Sequence, residues 1–369
     1  MWSAVRIAPT VSFVRIALVS TPFVPVPPRA YGGTELVVHA LSRALVRAGH
    51  EVVIFATGDS RAPGRRAFFE EAIWPPEPWS ELLHCRFAAR EIDQGDFDVV
   101  HAHLPGLVAF ADQLGAPVVY TVHHAEDPVL SRYYEAAPPV RRVAISARQA
   151  SLLSPACDDV VHHGLEPEMY PSCGAGGDAA LFVGRLAWVK APELAVEAAR
   201  RAGVPLVVAG RAHESDPAPE GWRKRVLEPA LGGRGVAWLP EADLVAKRRL
   251  FARSRALLVP LRWEEPFGLV MLEALLAGCP VIAFPLGAAP EIVDHGETGF
   301  LVEGVHDMAR ALHHVRGLDR AAIQARTRLR FSADRMAAEY LASYRAAAAG
   351  RAPGVGAPSP RGEWTTLAP

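Results

Sequence analysis

The sequence predicts an α/β protein built as two doubly wound halves that face each other across a cleft. Two observations carry this expectation. Apolar, β-rich runs alternate with helical stretches along most of the 369 residues. The alternation stops once, over 166–178, where Pro167, Pro171, Gly174, Gly176 and Gly177 crowd together, and then restarts. Strands joined by helices imply parallel sheets covered on both faces, with ligands at the carboxyl ends of the strands.

The first half opens with a strand over 14–20, an apolar run ended by turn residues. A helix follows over 34–48. Its stripe is Leu36, Val37, Ala40, Leu41, Ala44 and Leu45, and Gly49 is its stop. Further strands are expected over 51–56, 98–103, 117–123, 142–146 and 159–163, with a helix near 81–92. The second half supplies strands over 179–183, 205–209, 235–239, 256–260 and 280–284, then a hairpin-like stretch over 299–302. Its helices are expected over 192–202, 241–254, 267–277 and 305–316. The expected domains are 1–170 and 171–331, followed by a helix over 332–349. Residues 1–12 read as a loose extension. Residues 350–369, rich in Ala, Gly and Pro, read as a disordered tail.

Composition excludes several classes. The chain is 50% hydrophobic and 21% charged, ordinary for a soluble globular protein. A net charge of −1 argues against general nucleic-acid binding. Cys85, Cys157, Cys173 and Cys279 share no CxxC spacing, so neither a disulfide scaffold nor a cysteine zinc site is expected. A reducing cytoplasm fits. No run reaches the roughly 20 apolar residues of a membrane helix. The apolar N-terminus is broken by Arg6 and Arg15 and leads into Pro22, Pro25, Pro27 and Pro28, unlike a secretory signal.

The densest chemistry lies in Trp263-Glu264-Glu265-Pro266-Phe267-Gly268-Leu269-Val270-Met271-Leu272-Glu273-Ala274. A strand ends just before it and a helix begins near Phe267, with Pro266 suited to the first turn. Such a helix start offers backbone N–H groups and a positive dipole end, a ready anion site. Glu265 precedes that end. Glu273 lies two turns in on the side of Pro266, because seven residues nearly complete two turns. A structural reading, a helix with one dipole-compatible acid and one surface acid, stands beside the functional one.

Histidines cluster at strand ends: His101 and His103, His123 and His124, His162 and His163. The two-residue step puts His101 and His103 on one face, a geometry open to a metal. Hydrogen-bonded strand-end histidines beside a polar ligand are the favoured alternative. Basic clusters over 247–255 and 326–330 read as solvated faces.

The spacing Glu265-x7-Glu273 within Glu-Pro-Phe-Gly-Leu-Val resembles the retaining glycosyltransferases of family 4, which have the GT-B fold of two Rossmann-like domains. Gly184-Arg185-Leu186 followed by Lys190 resembles the family's Gly-Arg-Leu-x3-Lys element. Tyr31-Gly32-Gly33-Thr34-Glu35 resembles its glycine loop. The segment 98–103, Thr121-Val122-His123, and Pro290-Glu291-Ile292-Val293 followed by Gly296 and Gly299 also fit. The resemblance runs from about residue 14 to 345. It is nearest the subgroup that contains the avilamycin-pathway glycosyltransferase, sharing Trp-Glu-Glu-Pro-Phe-Gly and Gly287-Ala288-Ala289-Pro290-Glu291.

The resemblance implies transfer of a sugar from a nucleoside-diphosphate sugar with retention of anomeric configuration. The acceptor expected is a small molecule, saccharide or glycoconjugate. It implies that Arg185 and Lys190 hold the diphosphate, where negative charge grows as the glycosidic bond breaks. Glu273 would accept from the ribose hydroxyls, Glu265 would face the donor sugar, and His123 would contact that sugar. The amides of Phe267, Gly268, Leu269 and Val270 would hold sugar and phosphate oxygens, while Gly32 and Gly33 cap phosphate from the other domain. Gly210 is a candidate backbone contact to the base. No cofactor and no metal are implied. The final helix would cross back onto the first domain. Acceptor contacts are expected from the loops 58–65 and 125–135.

Three departures stand out: Ala191 where the family usually has Gly after the lysine, His163 for the usual Asn, and Pro240 for the usual Gly. The alternatives are a nucleotide-sugar epimerase on the same fold and an inactive sugar-nucleotide binder. A dinucleotide oxidoreductase is disfavoured, because no Gly-x-Gly-x-x-Gly follows the first strand. A P-loop is absent too.

Overall fold

The computed structural model describes residues 13–170, 174–212 and 217–350. The expected extension 1–12 and tail lie outside the described residues, apart from Gly350.

Two six-stranded parallel sheets form, one in each half. In the first, β1 (Arg15–Val19), β2 (Glu51–Phe55), β3 (Val99–Ala102), β4 (Val118–Thr121), β5 (Arg141–Ala144) and β6 (Asp159–Val160) take the order β2-β1-β3-β4-β5-β6. Ala17 pairs with both Val53 and Val100. In the second, β7 (Ala180–Val183), β8 (Leu206–Ala209), β9 (Val236–Leu239), β10 (Leu257–Val259), β11 (Val281–Ala283) and β12 (Gly299–Leu301) take the order β12-β11-β10-β7-β8-β9. Strand order reverses beside β1 in one sheet and beside β7 in the other. A crevice opens at such reversals, and the loops after these strands line the cleft.

The helices are α1 (Gly33–Arg47), α2 (Pro78–Asp93), α3 (Pro128–Ala136), α4 (Ala147–Leu152), α5 (Pro192–Ala202), α6 (Glu228–Leu231), α7 (Leu244–Arg253), α8 (Leu269–Leu276), α9 (Ala289–Ile292), α10 (Val305–His314), α11 (Arg320–Arg330) and α12 (Ala333–Ala349). Their starts follow capping chemistry. Glu77, Asp127, Ser146, Asp243, Asp319 and Ser332 each accept from a first-turn N–H. Pro occupies the first turn of α2, α3 and α5.

Four local expectations are corrected. The stretch at 299–302 is no hairpin: β12 pairs parallel to β11, with Phe300 opposite Ile282. Pro266 does not begin α8. Gly268 takes φ 87° as the N-cap, so the helix starts at Leu269. The segment read as loop 125–135 contains α3, announced by the Asp127-Pro128 cap. Helix α11 was not anticipated, since Asp319 lacks the apolar periodicity that normally follows such a cap.

The chain passes between the halves at 164–166 and again at 331–333. Leu165 N–H donates to the Phe331 carbonyl at 3.1 Å, and Ala333 N–H donates to the Leu165 carbonyl at 2.9 Å. The passes touch so closely that a Cβ on Gly164 would lie 2.2 Å from the Ser332 carbonyl oxygen. Beyond them, α12 packs on the first half. Ser343 Oγ donates to Asp159 at 2.8 Å, Tyr340 bonds Thr121 at 2.8 Å, and Arg47 pairs with Asp334 at 2.7 Å. One apolar core runs from β1 and α1 through Tyr340 and Tyr344 into α8 of the second half. Among the described residues, no helix is long and apolar enough to cross a membrane.

Candidate active site

A cleft of about 770 Å³ lies between the halves. It brings together Gly32, Gly33, His123, Arg185, Lys190, Gly210, Glu265, Phe267, Gly268, Leu269, Val270 and Glu273. Every residue given a catalytic or donor-binding role from the sequence therefore lines one cavity, whereas His101, His103 and His162, also noted there, do not. Its lining also carries Trp74, a residue that is 58% exposed.

Two helix N-termini converge here, and their unpaired N–H groups make a positive pole on each side. Helix α1 starts behind Gly32, at φ 149°, where a Cβ would press on Pro28, Val24 and Glu35. Glu35 is buried and accepts from Thr21 Oγ1 at 2.5 Å. Burial raises its carboxyl pKa above the ordinary value, though the Thr21 bond opposes this. Helix α8 starts behind Gly268. A Cβ on Gly33 would sit 3.2 Å from Leu269 Cδ1, so the two helix starts nearly touch.

Each acid of the Glu-x7-Glu pair has its own lysine. Lys190 Nζ pairs directly with Glu265, whose Oε2 also accepts from Trp263 Nε1 at 2.8 Å. The same ammonium lies 4.9 Å from the Trp263 ring centre. Lys247 Nζ pairs with Glu273 Oε1 at 2.9 Å, and the buried Tyr170 hydroxyl donates to that oxygen at 3.3 Å. Burial holds the Tyr170 phenol well above its ordinary pKa, so it remains a donor. Lys247 corrects the reading of 247–255 as a solvated face: its side chain is 14% exposed, because α7 lies against α8 and turns it into the cleft. No local pattern marked it, since Lys-Arg-Arg on a helix reads as surface.

The loop after β11 fixes the acidic motif. A Cβ on Gly287, at φ 59°, would lie 2.2 Å from the Glu265 backbone nitrogen. Gly287 N–H donates to Glu264 Oε2 at 2.9 Å, and Ala288 N–H donates to the Glu265 carbonyl at 3.0 Å. Gly210 is required for packing: a Cβ there would meet the Gly184 carbonyl oxygen at 1.9 Å. Its N–H donates to Leu239 and its carbonyl accepts from Trp238 Nε1 at 3.0 Å. Of the departures, Ala191 adopts φ 51° and ψ 50°, the left-handed conformation a glycine takes freely.

The histidines form a column in which His101, His103 and His163 are buried and His123 is half-buried at the cleft. His101 bonds Tyr344 at 2.8 Å and Thr121 at 2.7 Å, so both ring nitrogens are used. His103 stacks on it at 4.1 Å and bonds His123 at 2.9 Å. His163 stacks on His123 at 5.3 Å and meets Phe267 edge-on. Burial lowers the pKa of His101, His103 and His163 well below the ordinary value and that of His123 to about 3. Among the described residues, no group of three His, Cys, Asp or Glu side chains is placed to hold a metal.

Glu291 clasps the halves together. It accepts from the Ala147 and Arg148 amides at 2.8 and 2.7 Å and bonds His162 at 2.7 Å. Burial alone would raise its carboxyl pKa, yet these bonds hold it below the ordinary value. Ser146 Oγ donates to the Pro266 carbonyl at 2.7 Å beside it.

Comparison with known proteins bears on the family and the fold. The family described as glycosyl transferases group 1 matches residues 176–320, and glycosyltransferase family 4 matches residues 31–162. The D-inositol 3-phosphate glycosyltransferase of Mycolicibacterium paratuberculosis (strain ATCC BAA-968 / K-10) is 30% identical, covering 86% of each chain. That of Mycobacterium avium (strain 104) is 30% identical over 86% of this chain and 89% of its own. AviGT4, a glycosyltransferase involved in avilamycin A biosynthesis, superimposes with TM-score 0.71 at 26% identity, covering 92% of this chain and 99% of its own. HepE of Anabaena, solved with UDP and glucose, shares the fold with TM-score 0.66 at 18% identity, covering 90% and 100%.

Proposed function

Because this chain belongs to the family-4-like glycosyltransferases of GT-B fold, we propose that it transfers a sugar from a nucleoside-diphosphate donor with retention of configuration. The acceptor class proposed is a small molecule, saccharide or glycoconjugate. The observation that carries this reading is the pairing of Lys190 with Glu265 and of Lys247 with Glu273 in one cleft between two helix N-termini. A diphosphate supplies the anion that a lysine and two positive helix poles attract. A sugar and a ribose supply the hydroxyls that carboxylates accept from.

In this reading Arg185, Lys190 and the first amides of α8 take up charge as the bond from the anomeric carbon to phosphate breaks. The acceptor oxygen bonds to the same face of that carbon, and its proton passes to the departing phosphate oxygen. Glu265, already held by Lys190 and Trp263, orients the donor sugar. Glu273 orients the ribose. Cationic side chains rather than a metal carry the phosphate charge. The acceptor approaches past the first half, where Trp74 offers an apolar face suited to a sugar ring. The inositol-phosphate relatives make a phosphorylated polyol the first acceptor to try.

The test is thermal stabilisation by UDP, GDP, ADP, TDP and NAD, each with and without a chelator. One nucleoside diphosphate is expected to stabilise the protein with the chelator making no difference. Stabilisation by NAD alone, or only with a divalent metal, overturns the reading. Transfer from the matching nucleotide sugar follows, with product anomeric configuration read by NMR. Inversion removes the retaining assignment, and binding without any transfer favours an inactive binder.

A further inference from the structure

The histidine column contains one bond that decides how the cleft is furnished. His103 Nδ1 and His123 Nε2 lie 2.9 Å apart. Both rings are uncharged, because His103 is buried between neighbouring imidazoles and desolvation disfavours a charge on either ring. A neutral imidazole carries one N–H and one bare nitrogen. One proton therefore lies between the two rings, and its owner fixes the tautomer of both.

His103 settles the choice. Its Nε2 is buried with no partner among the described residues. An orphaned N–H in such a place is rarer and costlier than an orphaned acceptor. The proton of His103 therefore belongs on Nδ1, from which it is donated to His123 Nε2. His123 must then carry its own proton on Nδ1, the ring nitrogen with no partner among the described residues, on a ring that lines the cleft. We propose that His103 is a positioning residue that locks His123 as its Nδ1–H tautomer. The cleft thus receives a hydrogen-bond donor from this ring, matched to an oxygen acceptor on a ligand. His101 completes the lock from the other side. Both its nitrogens are tied to Tyr344 and Thr121, so it holds the His103 ring by stacking and offers it no competing bond.

The consequence for transfer rests on the glycosyltransferase reading, but the tautomer does not. The test uses the whole protein labelled with 15N-histidine, without ligand, in long-range 1H–15N correlation spectra. His123→Asn identifies the His123 signals. The wild-type protein is expected to show His123 with a protonated Nδ1 and a bare Nε2. His103→Phe keeps a ring in the stack and removes the donor, so His123 should shift toward the Nε2–H form. His103→Asn restores an N–H donor and should bring the Nδ1–H form back. If the transfer reaction is measured, His103→Phe should lower kcat about tenfold, the scale of one lost hydrogen bond. The nucleoside-diphosphate Kd should stay within about twofold, a split that general misfolding does not produce. A wild-type His123 protonated on Nε2 overturns the proposal, as does a His103→Phe spectrum identical to wild type. The wild-type spectrum decides even if a variant does not fold. Failure of transfer with the Nδ1–H form intact counts against the transferase reading alone.

Discussion

Arg148 of the first half and Glu264 of the second meet in a two-bond guanidinium–carboxylate pair, at 3.0 and 2.7 Å. Glu264 is the neighbour of Glu265 and also receives the Gly287 N–H. The pair therefore ties the position of the cleft acid to the separation of the halves. Hydrogen bonding to Arg148 first, outweighing burial, holds the Glu264 carboxyl below its ordinary pKa. Both side chains are partly exposed, so screening limits what the pair adds to global stability. Arg148→Met should barely move the melting temperature but raise the donor KM. Steady-state kinetics beside a thermal melt checks this, and an unchanged KM argues that the pair is ornamental to closure.

Removing Glu291 is expected to cost more. Its carboxylate serves two backbone amides and His162 at the same junction. Glu291→Ala leaves donors unpaired in a half-buried place, worth about 1–3 kcal/mol. Urea unfolding at neutral pH measures the loss.

Glu273 and Lys247 should be tested as a pair. Glu273→Ala alone strands an ammonium that is 14% exposed, so the variant loses stability and nucleotide binding together. The double change Glu273→Gln with Lys247→Met removes both charges of the pair. It is expected to regain most of the stability while nucleotide affinity stays low. Calorimetry with the stabilising nucleoside diphosphate separates the two effects, and recovery of affinity in the double variant would refute the role of Glu273.

Gly287→Ala tests the scaffold under the acidic motif. Its methyl would overlap the Glu265 backbone, and φ 59° disfavours any side chain. The 264–266 segment must move, so turnover should fall by at least about tenfold, since misplacements near 1 Å are that costly. The measurement is kcat/KM beside a circular dichroism spectrum. Ala191→Gly is the opposite experiment. It relieves a left-handed alanine but loosens the unfolded chain, so the net gain is expected at about 1 kcal/mol or less.

Acid should destabilise the fold. Burial, against an opposing bond to the Ser20 carbonyl, lowers the His84 pKa to about 4, and burial lowers that of His123 to about 3. His101, His103 and His163 are depressed in the same way. The unfolded chain takes up protons below about pH 6.5 while these folded rings do not, so stability falls as pH falls. For His84 the loss reaches about 3 kcal/mol once pH is below its folded pKa. Glu35 and Glu81, raised chiefly by burial, pull the other way as pH falls through their folded values, but they are fewer. Urea midpoints at pH 7.5, 6.5 and 5.5 should fall in that order.

The linear sequence determined what is local. Apolar runs and turn residues specified both sheets and most helices, because strand and helix periods are written in consecutive residues. The Glu265-x7-Glu273 spacing and the Gly184-Arg185-Leu186-x3-Lys190 element were legible as motifs that resemble those of family 4, because each is written within a short stretch of chain. Tertiary structure alone decided which cation meets which acid. Lys190 and Glu265 are 75 residues apart, and Lys247 reaches Glu273 only because α7 docks on α8. The histidine column has the same origin. His101, His103, His123 and His163 come from three strand ends, and parallel pairing stacks them where α12 closes the sheet over Tyr340 and Tyr344. Contacts of this kind depend on the register of sheets and the docking of helices, which no stretch of consecutive residues encodes.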